Sequence, residues 1–316
     1  MYSCKFATLV AYENACMCRY EATESKHADC TQSLPGRGEC DLDYPVSLFI
    51  MDVANSSRAE APDGLADYLD KTVDWIEDLT SLNKTALPIR VKHRFGDEII
   101  LVAGDFSTAY TLAFFIKQFW RYHRNPPYFG MTVGSLGQSV EHLPDLDRWL
   151  HPMINTARLA LDELKATKSV IDKKWMLVNT PLFPLRSSME EINELLEILD
   201  YLFKSQSPAQ KTVGSLYAVF QQQAQIASLL HKNPSTISRQ LKTGATDLIL
   251  KIHRRIEKRL EQLQSIHNAA TERATGLDDV MANSPTHVTR TSELIASLVT
   301  SYVQSHLEEF FTPGIQ

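Results

Sequence analysis

The stretch Val46-Ser47-Leu48-Phe49-Ile50-Met51-Asp52-Val53 decides the fold. It is an apolar run too short for a buried helix, and it closes on an acid. It therefore reads as a strand covered on both faces, with Asp52 near its C-terminal end. Asn55, Ser56 and Ser57 make a turn, and Asp63 is placed to cap a helix over 64–80. That helix carries Leu65, Leu69, Val73, Ile76 and Leu79 on one face. Ile89, Val91, His93 and Phe95 then alternate with Arg90, Lys92 and Arg94, the period of a strand. Phe95-Gly96-Asp97-Glu98 turns the chain, and Ile99 to Ala103 returns. Residues 89–103 are thus a hairpin with acids at its tip. A helix over 107–122, a strand through Phe129, Met131 and Val133, a helix over 151–166 and a strand from Trp175 to Val178 follow.

The order is βαββαβ with an added helix and strand, a ferredoxin-like split arrangement over 45–182. In that order the first strand adjoins the hairpin, so Asp52 and Asp97 stand side by side with Glu98 close. Two carboxylates at one point repel unless they share a proton or a cation. Mg2+ or Mn2+ with a nucleotide is one solution, and Asp52, Asp97 and Glu98 are the candidate metal ligands. The plainer reading stays open: Asp52 caps a turn, and Gly96-Asp97 is an ordinary hairpin tip.

Residues 189–270 read differently. Met189 to Phe203 is an amphipathic helix with Ile192, Leu195, Leu196, Leu199 and Leu202 in its stripe. Ser205 to Ala209 breaks it, and Val213 to Gln222 starts a second helix. Gln223 to Leu230, a turn at His231-Lys232-Asn233, and Pro234 to Lys242 then form a helix-turn-helix pattern. Ile226 and Leu230 face the core from the first helix, and Ala227 lets the pair approach. Ile237 and Leu241 face it from the second. Pro234 suits an early helical position, which has no intrahelical use for its N–H. Asn233 is expected to take the left-handed conformation of the turn. The outward set is Ser235, Thr236, Ser238, Arg239, Gln240 and Lys242. Short hydroxyls, amides and guanidinium are the groups that contact phosphates and base edges in a major groove. Double-stranded DNA is the partner this implies. The competing reading is a helical hairpin used for packing or dimerisation.

Charge distribution supports the first reading. The 316 residues carry a net charge of −6, yet residues 211–262 carry +6 and the remainder −12. A long helix over 246–270 sets Ile249, Ile252, Ile256, Leu260, Leu263 and Ile266 on one face and Arg254, Arg255, Lys258 and Arg259 on another. The apolar row suits a homodimer seam or packing on the domain over 45–182. Over 271–316, Leu294 to Leu307 makes a last helix. No apolar run reaches the roughly 18–20 residues of a membrane span. All five cysteines fall in residues 1–44, without paired C-x2-C spacing or a signal-peptide pattern. That segment reads as a variable or disordered leader with free thiols, on a cytoplasmic protein.

Three blocks carry a resemblance: Met51-Asp52-Val53-Ala54-Asn55-Ser56-Ser57-Arg58, Arg94-Phe95-Gly96-Asp97-Glu98 and Phe129-Gly130-Met131-Thr132-Val133-Gly134. Together they resemble the SatD family, and also the class III nucleotide cyclases, whose palm-like domain bears an Asp on its first strand and a Gly-Asp hairpin. Asn155-Thr156-Ala157-Arg158 echoes the cyclase helix with its transition-state Asn and Arg. The resemblance implies a palm-like α+β domain followed by an all-α helix-turn-helix domain and C-terminal helices. It makes Asn155, Arg158 and Arg58 the catalytic candidates. In this chain Asn155 and Arg158 are three rather than four residues apart, and His93 stands at the cyclase lysine position. The expectation is a DNA-binding, dimeric regulator of transcription with a nucleotide-responsive or scaffold palm. The alternative is an active nucleotidyl cyclase or phosphoryl-transfer enzyme using Mg2+ or Mn2+ at Asp52 and Asp97.

Overall fold

The computed structural model describes residues 43–54, 56, 64–81, 88–94, 96–167, 174–275 and 291–310. The cysteine-bearing leader, Arg58 and the Asp63 cap lie outside them. Leu42–Asn268 and Pro285–Gln316 cluster as one compact unit, and residues 269–275 belong to the other.

Strand β1 (Tyr44–Val53) is the centre of a five-stranded mixed sheet. Helix α1 (Leu65–Ser81), hairpin strands β2 (Ile89–His93) and β3 (Ile99–Ala103), helix α2 (Thr108–Phe119) and β4 (Pro127–Leu136) follow. Then come α3 (Pro152–Ala166) and β5 (Met176–Asn179). The strand order is β2-β3-β1-β4-β5. β1 runs antiparallel to both neighbours, and β5 runs parallel to β4 at the edge. The register pairs Met51 with Ile99, which makes Asp52 and Glu98 the next positions out. The first strand and the hairpin are neighbours, as the element order requires.

Val46 to Met51 is buried throughout because the sheet is covered on both sides. Phe49, Met51 and Val53 point to one face, with α1 and α2. Val46, Leu48 and Ile50 point to the other, with Met153, Ile154, Ala157 and Leu161 of α3 and the segment through Leu143, Leu146 and Trp149. α3 lies against β1, β4 and β5. Gly130 of β4 makes that approach possible: a Cβ there would sit 2.1 Å from the Ala157 carbonyl oxygen and 2.6 Å from the Leu161 nitrogen. Helix backbone cannot yield as a side chain can.

The first face is shared with the helices that follow: α4 (Arg186–Ser205), α5 (Pro208–Phe220), α6 (Gln223–Leu229), α7 (Pro234–Thr243), α8 (Thr246–Thr275), α9 (Thr291–Ser305) and α10 (Leu307–Phe310). One apolar cluster joins Phe49, Phe114, Leu196, Leu216, Ile256 and Val299. α5 starts before the expected Val213 because Ser207 and Gln210 form a capping box around Pro208. α8 spans about 45 Å. Ile249, Ile252, Ile256, Leu260 and Leu263 are buried, but Ile266 is exposed, so the apolar row ends one turn earlier than its spacing suggested.

A polar contact set sits inside this core. The His253 ring stacks on Phe114 at 3.6 Å, and its Nδ1 lies 3.2 Å from the Tyr110 hydroxyl. Thr111 donates to Glu257 at 2.8 Å. His253 Nε2 lies 3.3 Å from Glu257 Oε1. Burial holds His253 down to about 3 and pushes Glu257 up to about 7. His253 is therefore neutral at pH 7, and the contact is not an ion pair.

Gly130→Ala lowers unfolding free energy by about 3 kcal/mol, whereas Gly134→Ala, which meets only the flexible end of Met153 and a proline ring, costs under about 1 kcal/mol; urea unfolding measures both. Glu257 has a raised folded pKa, so its ionisation destabilises as pH climbs from the unfolded value to the folded one and beyond. Glu257→Gln should then be more stable than wild type by about 2 kcal/mol at pH 8, with the gap closing toward pH 4; thermal melts across pH check this.

Candidate functional site

Helices α6 and α7 form the first candidate site. α6 ends in a pair of backbone bonds, Lys232 N–H to the Ala227 carbonyl and His231 N–H to the Ser228 carbonyl. This is the Schellman arrangement, in which the residue after the cap turns left-handed. That residue is His231, with φ of +52°. Asn233 was the expected left-handed position; instead it has φ of −71° and occupies the N-cap position of α7 ahead of Pro234, without a side-chain cap bond. The spacing rule placed the turn correctly, but the bond pattern puts the positive φ two residues earlier.

Ile226, Ala227, Ile237 and Leu241 are buried, and α5 touches both α6 and α7. The end of α7 is clamped. Gln206 Nε2 donates to the Gly244 carbonyl at 2.6 Å, and Gln210 Nε2 to Thr243 Oγ1 at 2.9 Å. Gly244 is required here, since a Cβ would meet the Gln240 carbonyl oxygen at 2.9 Å and Gln210 Cβ at 3.0 Å. Ser235, Ser238, Arg239 and Lys242 are exposed, while Thr236 and Gln240 are half-buried. Among the described residues Arg239 and Lys242 make no ion pair. On α8, Arg254, Arg255 and Lys258 are exposed. Arg259 is not part of that free row, because it pairs with Glu191 at 2.9 Å.

The acids form the second site. Asp52 and Asp97 line one cavity of about 780 Å3 at the end of β1. Burial raises the Asp52 carboxyl, its bond from Lys165 opposes this, and the charges of Asp97 and Glu98 raise it further. Lys165 of α3 is ion-paired with Asp52, and Ser56 donates to Asp97. Glu98 is held by Arg94 and Arg158, each at 3.2 Å. The three acids thus converge as the topology implies, and protein groups engage all three. Arg158 reaches this cluster through Glu98, but Asn155 is exposed, and neither residue lines the cavity. Among the described residues no group of three His, Cys, Asp or Glu is placed to hold a metal ion.

The rest of the cavity wall was not read from the sequence. Lys117, Trp120, Arg124, Trp175, Lys204 and Lys211 reach it from α2, the segment before β4, the start of β5, α4 and α5. These residues are scattered over about a hundred positions and share no motif. Comparisons with protein-family models, with curated proteins and with solved structures returned no match.

The positive φ at His231 gives a test of the turn between α6 and α7. His231→Gly removes the left-handed penalty and should raise unfolding free energy by about 1 kcal/mol. His231→Val should lower it by at least as much. Chemical denaturation of the two variants measures the pair.

Proposed function

We propose that this chain is a double-stranded-DNA-binding regulator of transcription that reads sequence with α7. The observation carrying the proposal is the exposed, ion-pair-free polar face of α7, held out by burial of Ile237 and Leu241 on its other side. A helix presented this way offers its N-terminal hydroxyls to phosphates and base edges and its guanidinium to guanine. One such head covers a single half-site, so the functional form is a homodimer. In this reading the sheet domain is a palm of SatD or cyclase type serving as sensor or scaffold, and the protein works in the cytoplasm. No described helix is long and apolar enough to cross a membrane. The alternative, phosphoryl transfer at Asp52 and Asp97, draws support from their shared cavity, but Lys165, Ser56 and the arginines already engage the acids.

Fluorescence anisotropy against genomic fragments over a range of salt tests the proposal. Arg239→Ala should weaken binding to the preferred sequence about tenfold or more while sparing non-specific DNA. Lys242→Ala should weaken binding to all sequences and reduce the salt slope by about one. Equal affinity of wild type and both variants overturns the reading.

A further inference from the structure

The cavity beside Asp52 has more cations than its acids neutralise. Lys165 is taken by Asp52, and Lys204 by Asp200 at 2.5 Å. Lys117, Arg124 and Lys211 also line it, and among the described residues none of these three forms an ion pair. Lys117 and Lys211 are close enough to feel each other's charge. Desolvation lowers both, Lys117 to about 8. Asp200 is the acid Lys117 feels, but it is already bonded to Lys204, and five Lys and Arg side chains line the cavity against three Asp; an excess of cations in a partly dry cavity is costly, and a fold does not collect it for stability. Trp175 lines the same wall, 1% exposed, and its buried indole N–H has no partner among the described residues.

We infer that this cavity is a binding site for a phosphorylated small molecule carrying at least two negative charges, held by Lys117, Lys211 and Arg124. Its volume lies within the range of small-ligand pockets. The ligand would also touch the supports of the reading head. Gln206, in the cavity wall, is the residue that bonds the Gly244 carbonyl at the end of α7. Gln118, also in the wall, accepts from Ser215 of α5 at 2.7 Å through its carbonyl oxygen. Occupancy therefore bears on α5 and α7 directly; that consequence, unlike the site itself, rests on the DNA reading.

Isothermal titration calorimetry of the full chain in EDTA, with inorganic pyrophosphate and with ATP as probes, tests the site without DNA or metal. Saturable binding of either probe is expected, and ATP binding more tightly than pyrophosphate would assign the ring as well as the phosphates to the site. The Lys117→Gln/Lys211→Gln double variant should lose at least about tenfold in affinity. Lys117→Met should raise the Tm of the unliganded protein while weakening the probe, because it removes a desolvated charge that Asp200, already bonded to Lys204, offsets only in part. No saturation by either probe, undiminished affinity in the double variant, or a Tm that falls in Lys117→Met overturns the site. Because α7 plays no part in these measurements, their failure leaves the DNA proposal standing, and failure of DNA binding leaves the site standing.

Discussion

Burial of Ile237 and Leu241 determines which side of α7 meets solvent, and the functional reading depends on it. The two residues are four apart, so they share one helix face, and full burial of such a side chain contributes about 1.5–3 kcal/mol each. That is enough to fix the rotation of a ten-residue helix that would be marginal alone. Once the rotation is fixed, Ser235, Ser238, Arg239 and Lys242 have nowhere to go but outward. The same anchoring explains why α5 matters. It touches both helices of the pair, it supplies Gln210 to the end of α7, and it also borders the cavity through Lys211.

The sheet and the helical region are not separate bodies joined by a linker. The apolar cluster that begins at Phe49 continues through α2 and α4 to Ile237 and Leu241. The His253–Phe114 stack and the Thr111–Glu257 bond pin α8 to α2 within it. Gln206 lines the cavity at the end of β1 and also bonds the Gly244 carbonyl at the end of α7.

Much of this was legible in the residues. The uninterrupted run Val46–Met51 announced a strand covered twice, and the alternation at 89–95 followed by Gly96 announced the hairpin. Helices with a clean stripe were placed within a few residues, and their ends moved only where local chemistry decided, as with the Ser207 capping box. The helices Gln223–Leu229 and Pro234–Thr243 were placed by short-range packing rules to within a residue of their ends, yet the left-handed residue was misplaced because backbone bonding rather than residue preference selects it. Convergence of Asp52 with Asp97 followed from strand order. Their engagement by Lys165 and Ser56 did not, since α3 comes to the sheet through a close approach that only Gly130 allows. The cationic wall was invisible for a similar reason: Lys117, Arg124 and Lys211 lie on three different segments and meet only in the folded chain.

The most direct test of the central claim is methylation interference on a fragment the protein selects from genomic DNA. Guanine N7 lies in the major groove and adenine N3 in the minor groove. The account predicts that methylation of a few guanines at N7, in two clusters one helical turn or a multiple apart, blocks binding, while adenine N3 methylation between them does not. Binding that ignores N7 methylation at every position would contradict it.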